Sequence, residues 1–190
     1  MHQRSWVSFA GSLLLAVGLT GAAAASGIQK GEIEVSPTVG YTVPFGDLGA
    51  FAKSGPAFGV QGAYYLKPTT AIGVALIYNP LGTDINNVNF SIMEILAFGK
   101  LIFSENGSVV PYGKIAAGLF VNDVGIGTST AAEQTSQSSS TNFGVGAGMG
   151  VQSRQNKWGW FGESMLMLDN FSDFYLGFRA GLNFYFGGSN

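Results

Sequence analysis

The sequence lacks several of the residues on which protein chemistry most often depends. No cysteine occurs among its 190 residues, so disulfides, thiolate nucleophiles, zinc–thiolate clusters and lipid-modified cysteines are excluded. There is one histidine, His2. Charged residues make up only 11% of the chain and the formal net charge is -2. This balance argues against a nucleic-acid partner, which would need a basic surface.

The N-terminus is a separate element typical of a secretory signal peptide. Arg4 supplies positive charge, Val7 to Leu19 form an apolar region, and Ala22 to Ala25 are the small residues that a signal peptidase requires. We expect cleavage near Ala25. The predicted domains are therefore a signal peptide at 1–25 and one exported domain at 26–190.

The exported domain has no histidine once His2 is removed with the signal, and it has no long apolar run. Serine–histidine triads and histidine metal sites are therefore excluded. The spacing of the carboxylates does not indicate a catalytic site, so we expect neither enzyme activity nor a cofactor. No segment approaches the ~18 consecutive apolar residues of a membrane-spanning helix.

What the chain does contain is alternation, which is clearest between Leu176 and Phe186. Even positions are apolar, whereas odd positions are glycine, charged, amide or tyrosine residues. A period of two places these sets on opposite faces of a strand. Such a strand suits a soluble β-domain with the apolar face inside, or a membrane barrel with the apolar face toward lipid.

Six further strands show compatible alternation. Eight strands of ~11 residues, the length that a tilted strand needs to cross a bilayer, account for the exported domain. Short and longer connections alternate, as in barrels with one short-turn end. The short ones are Lys67–Thr70, Ser104–Ser108 and Ser153–Lys157; the longer ones are Pro44–Gly55, Pro80–Asn87 and Asp123–Asn142, with Asp169–Asp173 a brief exception. We predict an all-β fold, an eight-stranded antiparallel up-and-down transmembrane β-barrel.

One predicted strand, Val88 to Phe103, has an ambiguous register. Glu94 and Lys100 share a face with Leu96 and Phe98. Either the lumen is locally apolar, or a β-bulge shifts the alternation.

The last strand also matches the spacing of the outer-membrane assembly signal, which has a polar residue, then glycine, then aromatic residues at alternate positions. The matching residues are Arg179, Gly181, Phe184 and Phe186. With this strand, the exported domain resembles the small outer-membrane β-barrel superfamily, which includes the OmpA transmembrane domain, OmpX and the OmpW-like proteins. The resemblance implies a monomeric, porin-like protein of the Gram-negative outer membrane. It also implies contact with lipid, lipopolysaccharide and the barrel assembly machinery.

Charged residues at inward positions predict a polar network inside the barrel. Its members are Glu32, Glu34, Glu94, Lys100, Lys114, Glu163 and Arg179. Charges removed from water need partners, and we expect Arg179 to pair with Glu163 or Glu34. We favour a plug that fills an interior too narrow for a pore. The alternative is a gate whose pairs exchange to pass ions, as the resemblance to OmpA allows.

Acidic residues concentrate in the connections expected at the outer end. All five aspartates fall there: Asp47, Asp84, Asp123, Asp169 and Asp173. Turns favour aspartate, which explains this without a ligand. A sharper hypothesis is that Ca²⁺ or Mg²⁺ bridges this rim to lipopolysaccharide phosphates, because hard cations prefer oxygen ligands.

Three classes of function follow from the sequence. The first is a structural or surface-interaction barrel, in which the Ser/Thr/Gln-rich loop Thr128–Thr141 is either a surface contact or a solvated spacer. The second is a conduit for small or hydrophobic molecules of the OmpW-like kind, which needs an apolar inner channel. The third is a soluble periplasmic barrel resembling a lipocalin, which needs the faces of the strands reversed.

Overall fold

The computed structural model describes residues 27–83, 85, 88–104, 107–126, 136–169 and 173–188. These residues form eight strands and one short helix. The elements are β1 (Glu32–Phe45), α1 (Gly46–Phe51), β2 (Gly55–Lys67), β3 (Thr70–Leu81), β4 (Val88–Ile102), β5 (Val109–Ile126), β6 (Ser136–Gln155), β7 (Trp158–Asp169) and β8 (Asp173–Gly187). The expected signal peptide lies outside the described residues and stays a prediction.

The strands close into one antiparallel up-and-down barrel. Each strand pairs with the next along the chain, and β8 pairs with β1 from Glu32 opposite Gly187 to Phe45 opposite Phe174. Residues 27–31 and 188 lie at the same end of the barrel as the β2–β3 and β6–β7 turns, and we call this the terminal end; α1 lies at the opposite, outer end. The predicted fold class is confirmed.

The outward faces of the strands carry the apolar residues that the alternation assigns to them. On β3 the exposed fraction is 51% for Ile72, 66% for Val74 and 46% for Leu76. The intervening positions point inward, and Ile77, which breaks the sequence pattern, is fully buried in the lumen. A soluble ligand-binding barrel requires the opposite arrangement, so the structure overturns that alternative. Among the described residues, no helix is long and apolar enough to cross a bilayer.

The register of β4 is continuous. It pairs without a break to β3 and β5, and Glu94, Leu96, Phe98 and Lys100 are all buried in the interior. The lumen is therefore locally apolar at β4, and no bulge is needed.

The β5–β6 hairpin extends further than the sequence suggested. The predicted connection Asp123–Asn142 is wrong at both ends, because Asp123 to Ile126 pair with Ser136 to Ser139. The physical reason is that strand pairing uses main-chain groups, so serine and glutamine residues continue a ladder as well as apolar ones. Of the predicted loop Thr128–Thr141, residues 136–141 belong to β6 and the rest lie outside the described residues.

The outer end of the lumen is partly covered by α1 and the residues after it. The rings of Phe51 and Phe90 meet edge to face, with their centroids 5.6 Å apart. Ala52 is buried, and the amide of Lys53 donates a hydrogen bond to the carbonyl of Gly82 at 2.7 Å. The β1–β2 connection thus packs across the mouth.

Candidate functional site: the barrel interior

The interior gathers the polar residues predicted from the alternation. All seven members of the expected network are buried, with exposed fractions of 6% or less. Six of them form three ion pairs that connect strands across the lumen instead of neighbouring strands. Each pair brings further polar side chains with it, so the interior contains three polar clusters.

The first cluster, nearest the terminal end, is centred on Glu34 and Lys100. The ammonium of Lys100 lies 2.7 Å from a carboxylate oxygen of Glu34 and donates a hydrogen bond to Gln152 at 3.0 Å. The hydroxyl of Tyr65 donates to the other oxygen of Glu34 at 2.5 Å. Because β1, β2, β4 and β6 each supply one member, this cluster spans the barrel.

The second cluster joins Glu163 on β7 to Lys114 on β5. The ammonium of Lys114 lies 3.0 Å from one carboxylate oxygen and 3.2 Å from the other. Tyr112 donates to the same carboxylate at 2.9 Å, and Gln61 bonds to both charged groups. Lys114 also lies 4.3 Å from the ring centroid of Phe98, which adds a cation–π contact.

The third cluster corrects the expected partner of Arg179. Its guanidinium donates from Nη2 to both carboxylate oxygens of Glu94, at 2.9 and 2.7 Å, and both side chains are fully buried. Asn79 donates to Glu94 at 2.8 Å, and Thr42 donates to Asn79 at 2.7 Å. Glu163 stands opposite Arg179 on the neighbouring strand, but its oxygens are already bound by Lys114 and Tyr112. The pairings with Glu163 and Glu34 are therefore wrong.

The sequence interpretation missed a fourth pair, between Glu32 and Arg154. Arg154 binds both oxygens of Glu32, with Nη2 2.7 Å from Oε1, and its guanidinium carbon lies 4.5 Å from the ring centroid of Tyr185. Arg154 falls within the predicted connection Ser153–Lys157, but the structure places it in β6. Arg154 is the next even-numbered residue after Gln152 in the inward-facing series of β6. This alternation is the sequence signal that indicates an inward direction for its side chain.

Because Arg154 reaches from β6 across β8 to β1, it spans the seam at which the barrel closes. We expect Arg154→Gln to lower the free energy of unfolding by about 2 kcal/mol, since it removes charged hydrogen bonds from a largely buried pair. Urea unfolding of the refolded barrel in detergent micelles measures this. The control is Lys157→Gln, an exposed residue at the same turn that should change stability by about 0.5 kcal/mol or less. Equal effects of the two variants would contradict the role of Arg154.

Apolar side chains fill the space between the polar clusters. Those with no exposed area include Ile77, Ile92, Phe120, Met165, Met167 and Tyr175. The inward glycines of β6 make room for them: a Cβ atom on Gly144, Gly146 or Gly148 would come within 2.6 Å of Phe120, Met167 or Met165 respectively. Gly150 lies against the ring of Tyr112, and Lys114 stands opposite Gly148 on the neighbouring strand.

The comparisons with known proteins agree with this architecture. Neither a protein-family model nor a curated protein matches the sequence. Neisserial surface protein A, from Neisseria, superposes with a TM-score of 0.64 at 16% identity, covering 82% of this chain and 99% of that one. Ail of Yersinia pestis gives 0.58 at 17% identity, covering 83% and 99%. The N-terminal β-barrel domain of Pseudomonas aeruginosa OprF gives 0.50 at 16% identity, covering 82% and 99%.

The chain has the fold of the small outer-membrane β-barrels. The resemblance drawn from the last strand is therefore confirmed at the level of fold. An eight-stranded barrel has an interior just wide enough to be filled by side chains, and the interior of this one holds the three polar clusters and the apolar side chains between them.

The predicted acidic rim is only partly a rim. Asp47 lies on α1, Asp123 lies within β5, and Asp173 begins β8, while Asp84 is outside the described residues. Asp169 is buried and accepts a hydrogen bond from Asn122 at 2.7 Å. Among the residues that the structure describes, no three acidic or histidine side chains are placed to hold a metal ion.

The residues of the predicted assembly signal lie on both faces of β8. Phe184 and Phe186 are exposed on the outer wall, at 39% and 56%. Arg179 points into the lumen, and the Cα of Gly181 faces Phe161, whose ring would lie 2.7 Å from an added Cβ. Recognition of this strand by an assembly machinery stays a prediction.

Proposed function

We propose that this protein is an integral outer-membrane β-barrel with a structural or surface-interaction role and a lumen closed by its polar network. The observation that supports the proposal is the direction of the side chains. Apolar residues cover the exterior and ion pairs lie in the interior, the reverse of a soluble barrel. Exposed apolar patches of more than about 300–600 Å² mark contact surfaces, and here such a surface surrounds the barrel. A closed barrel also satisfies its main-chain hydrogen bonds internally, as lipid requires.

Aromatic residues at both ends of the outer wall support a membrane position. At the outer end the exposed aromatic residues are Tyr41, Phe45, Phe58, Tyr78, Phe143, Phe174 and Phe178; at the terminal end they are Tyr64, Phe103, Trp158, Phe184 and Phe186. Two such girdles are typical of barrels whose strands cross a bilayer. The terminal end would then face the periplasm.

The outer end offers an observation in favour of a surface-interaction role. Pairing of β6 with β7 begins at Gly144, whereas β6 itself begins at Ser136. Within the described part of the chain, Ser136 to Phe143 therefore pair only with β5. The main-chain groups on their other side form a polar strand edge of the kind to which an extended segment of another protein can add.

The closed lumen is tested by conductance in planar bilayers. We expect neither the wild-type barrel nor Arg179→Met to show a resolved channel, because no single pair holds the interior closed. A large porin reconstituted in parallel confirms that channels are detectable. Current steps in the wild type would contradict the plug, and steps in Arg179→Met alone would show that the Glu94 pair is a gate. Recovery of the exported protein in a soluble fraction without detergent would refute the membrane assignment.

A further inference from the structure

The outer wall has a depression that the description of the interior does not explain. It has a volume of about 930 Å³, is largely open on its outer side, and is lined by residues from β1 (Ile33) to β6 (Val145). Its floor consists of the small outward residues Gly62, Ala97, Gly99 and Ala117. Because it is open, the depression can cover one side of an elongated apolar chain without enclosing it.

The register explains how these small residues are arranged. Ala97 stands opposite Ala117, and the exposed side chain of Val74 lies between Gly62 and Ala97. One row nearer the terminal end, Gly99 lies between Ile72 and Ile115, where it leaves a gap between two large side chains. The result is a hollow with apolar walls.

The depression lies at mid-height of the apolar belt. On β3 the outward series runs from Tyr78 to Thr70, and Val74 is its central member. Along β2, Gly62 and Lys67 are five residues apart, about 17 Å at the rise of a strand. This distance is close to half the thickness of the ~30 Å hydrocarbon core of a bilayer.

Two exposed lysines lie at the terminal end below the depression. Lys67 ends β2, and Lys30 precedes Gly31, whose amide donates a hydrogen bond to the carbonyl of Tyr65 at 2.8 Å. This bond holds Lys30 beside the end of β2. The nearby carboxylate of Glu32 is buried and bound by Arg154, so it does not neutralise the lysines.

We propose that the depression and the two lysines bind one phospholipid. An acyl chain would lie on the floor formed by Gly62, Ala97, Gly99 and Ala117, and the anionic phosphate would lie at Lys30 and Lys67. Charge complementarity identifies the head group, and the apolar lining identifies the chain. A flexible chain of methylene groups can enter the hollow, whereas the convex wall of a second barrel cannot follow its floor. This inference rests on the proposed membrane function.

Native mass spectrometry tests the site. The barrel is reconstituted in vesicles of equal parts phosphatidylglycerol and phosphatidylcholine, then extracted into a mild detergent. We expect one retained phospholipid, predominantly phosphatidylglycerol. Ala97→Phe should reduce the retained fraction roughly tenfold, whereas Ala180→Phe, the same change on the outward face of β8, should leave it unchanged.

The head-group contact is tested separately from the hollow. Lys30→Gln combined with Lys67→Gln should bring the ratio of phosphatidylglycerol to phosphatidylcholine to about one, and Lys157→Gln should not change this ratio. Equal retention by the wild type and Ala97→Phe would overturn the proposal. So would equal loss in Ala180→Phe, or a wild-type dimer that Ala97→Phe dissociates.

Resistance of each protein to alkaline extraction from the vesicles separates the two hypotheses. A wild-type barrel that does not insert would refute the proposed function. An inserted barrel that retains no phospholipid would refute only the lipid site.

Discussion

Replacing Arg179 with methionine is expected to lower the free energy of unfolding of the refolded barrel by about 3–5 kcal/mol. The variant leaves Glu94 buried at mid-lumen without its cation. Asn79 still donates one hydrogen bond to that carboxylate, but an amide does not neutralise a charge. The desolvation of Glu94 is then uncompensated, which is why breaking a buried pair costs more than the pair itself contributes.

A second substitution separates loss of the pair from loss of the residue. Adding Glu94→Gln to Arg179→Met removes the isolated charge and should recover most of the lost stability. Urea unfolding in detergent micelles measures both variants without involving the assembly machinery. If the double variant were as unstable as the single one, packing of the Arg179 side chain would be responsible, and the electrostatic explanation would fail.

The second large effect is expected at Gly118 on β5, where the neighbouring strand comes too close for any side chain. A Cβ atom there would lie 2.1 Å from the carbonyl oxygen of Ile95 and 2.9 Å from the Cα of Leu96. Both contacts are with main-chain atoms, so no side-chain rotation relieves them. We expect Gly118→Ala to destabilise the barrel by about 3 kcal/mol, the upper part of the usual range for overpacking.

The same strand supplies the control for this prediction. An added Cβ on Gly125 meets no atom within 4 Å, so Gly125→Ala should leave the urea midpoint almost unchanged. Heat-modifiable migration on gels gives a second readout, because Gly118→Ala should unfold at a lower temperature than Gly125→Ala. Equal behaviour of the two variants would mean that β4 and β5 separate at little cost to accept the methyl group.

The fold was largely readable from the sequence because a strand repeats every two residues. Val74 and Phe184 are apolar and point outward, whereas Glu34 and Arg179 are charged and point inward. Every strand has lipid on one side and the narrow interior on the other, so the same alternation of apolar and polar residues recurs around the barrel. Even Ile77, which breaks the rule, has its direction set by its neighbours on β3.

The partners inside the lumen could not be read in the same way. Parity shows that Arg179 points inward, but its partner depends on which side chains from distant strands reach the same height. Lys114 occupies Glu163, which leaves Glu94 for Arg179. The extent of the β5–β6 hairpin was also hidden, because the serines of β6 outside the apolar belt pair through their main chain and leave no apolar pattern.

The pairing of β1 with β8 has a consequence for when the last strand can be recognised. In the closed barrel β8 has hydrogen-bonded neighbours on both sides, and Arg179 is covered by the lumen. In the closed sheet β8 is paired on both sides like every other strand, so its pairing does not mark it as the last strand. If Arg179, Gly181 and Phe184 are recognised as a signal, the reading must precede ring closure, while the edge of β8 is still free. Ring closure would then hide this signal, so an assembly machinery could not recognise the completed barrel again.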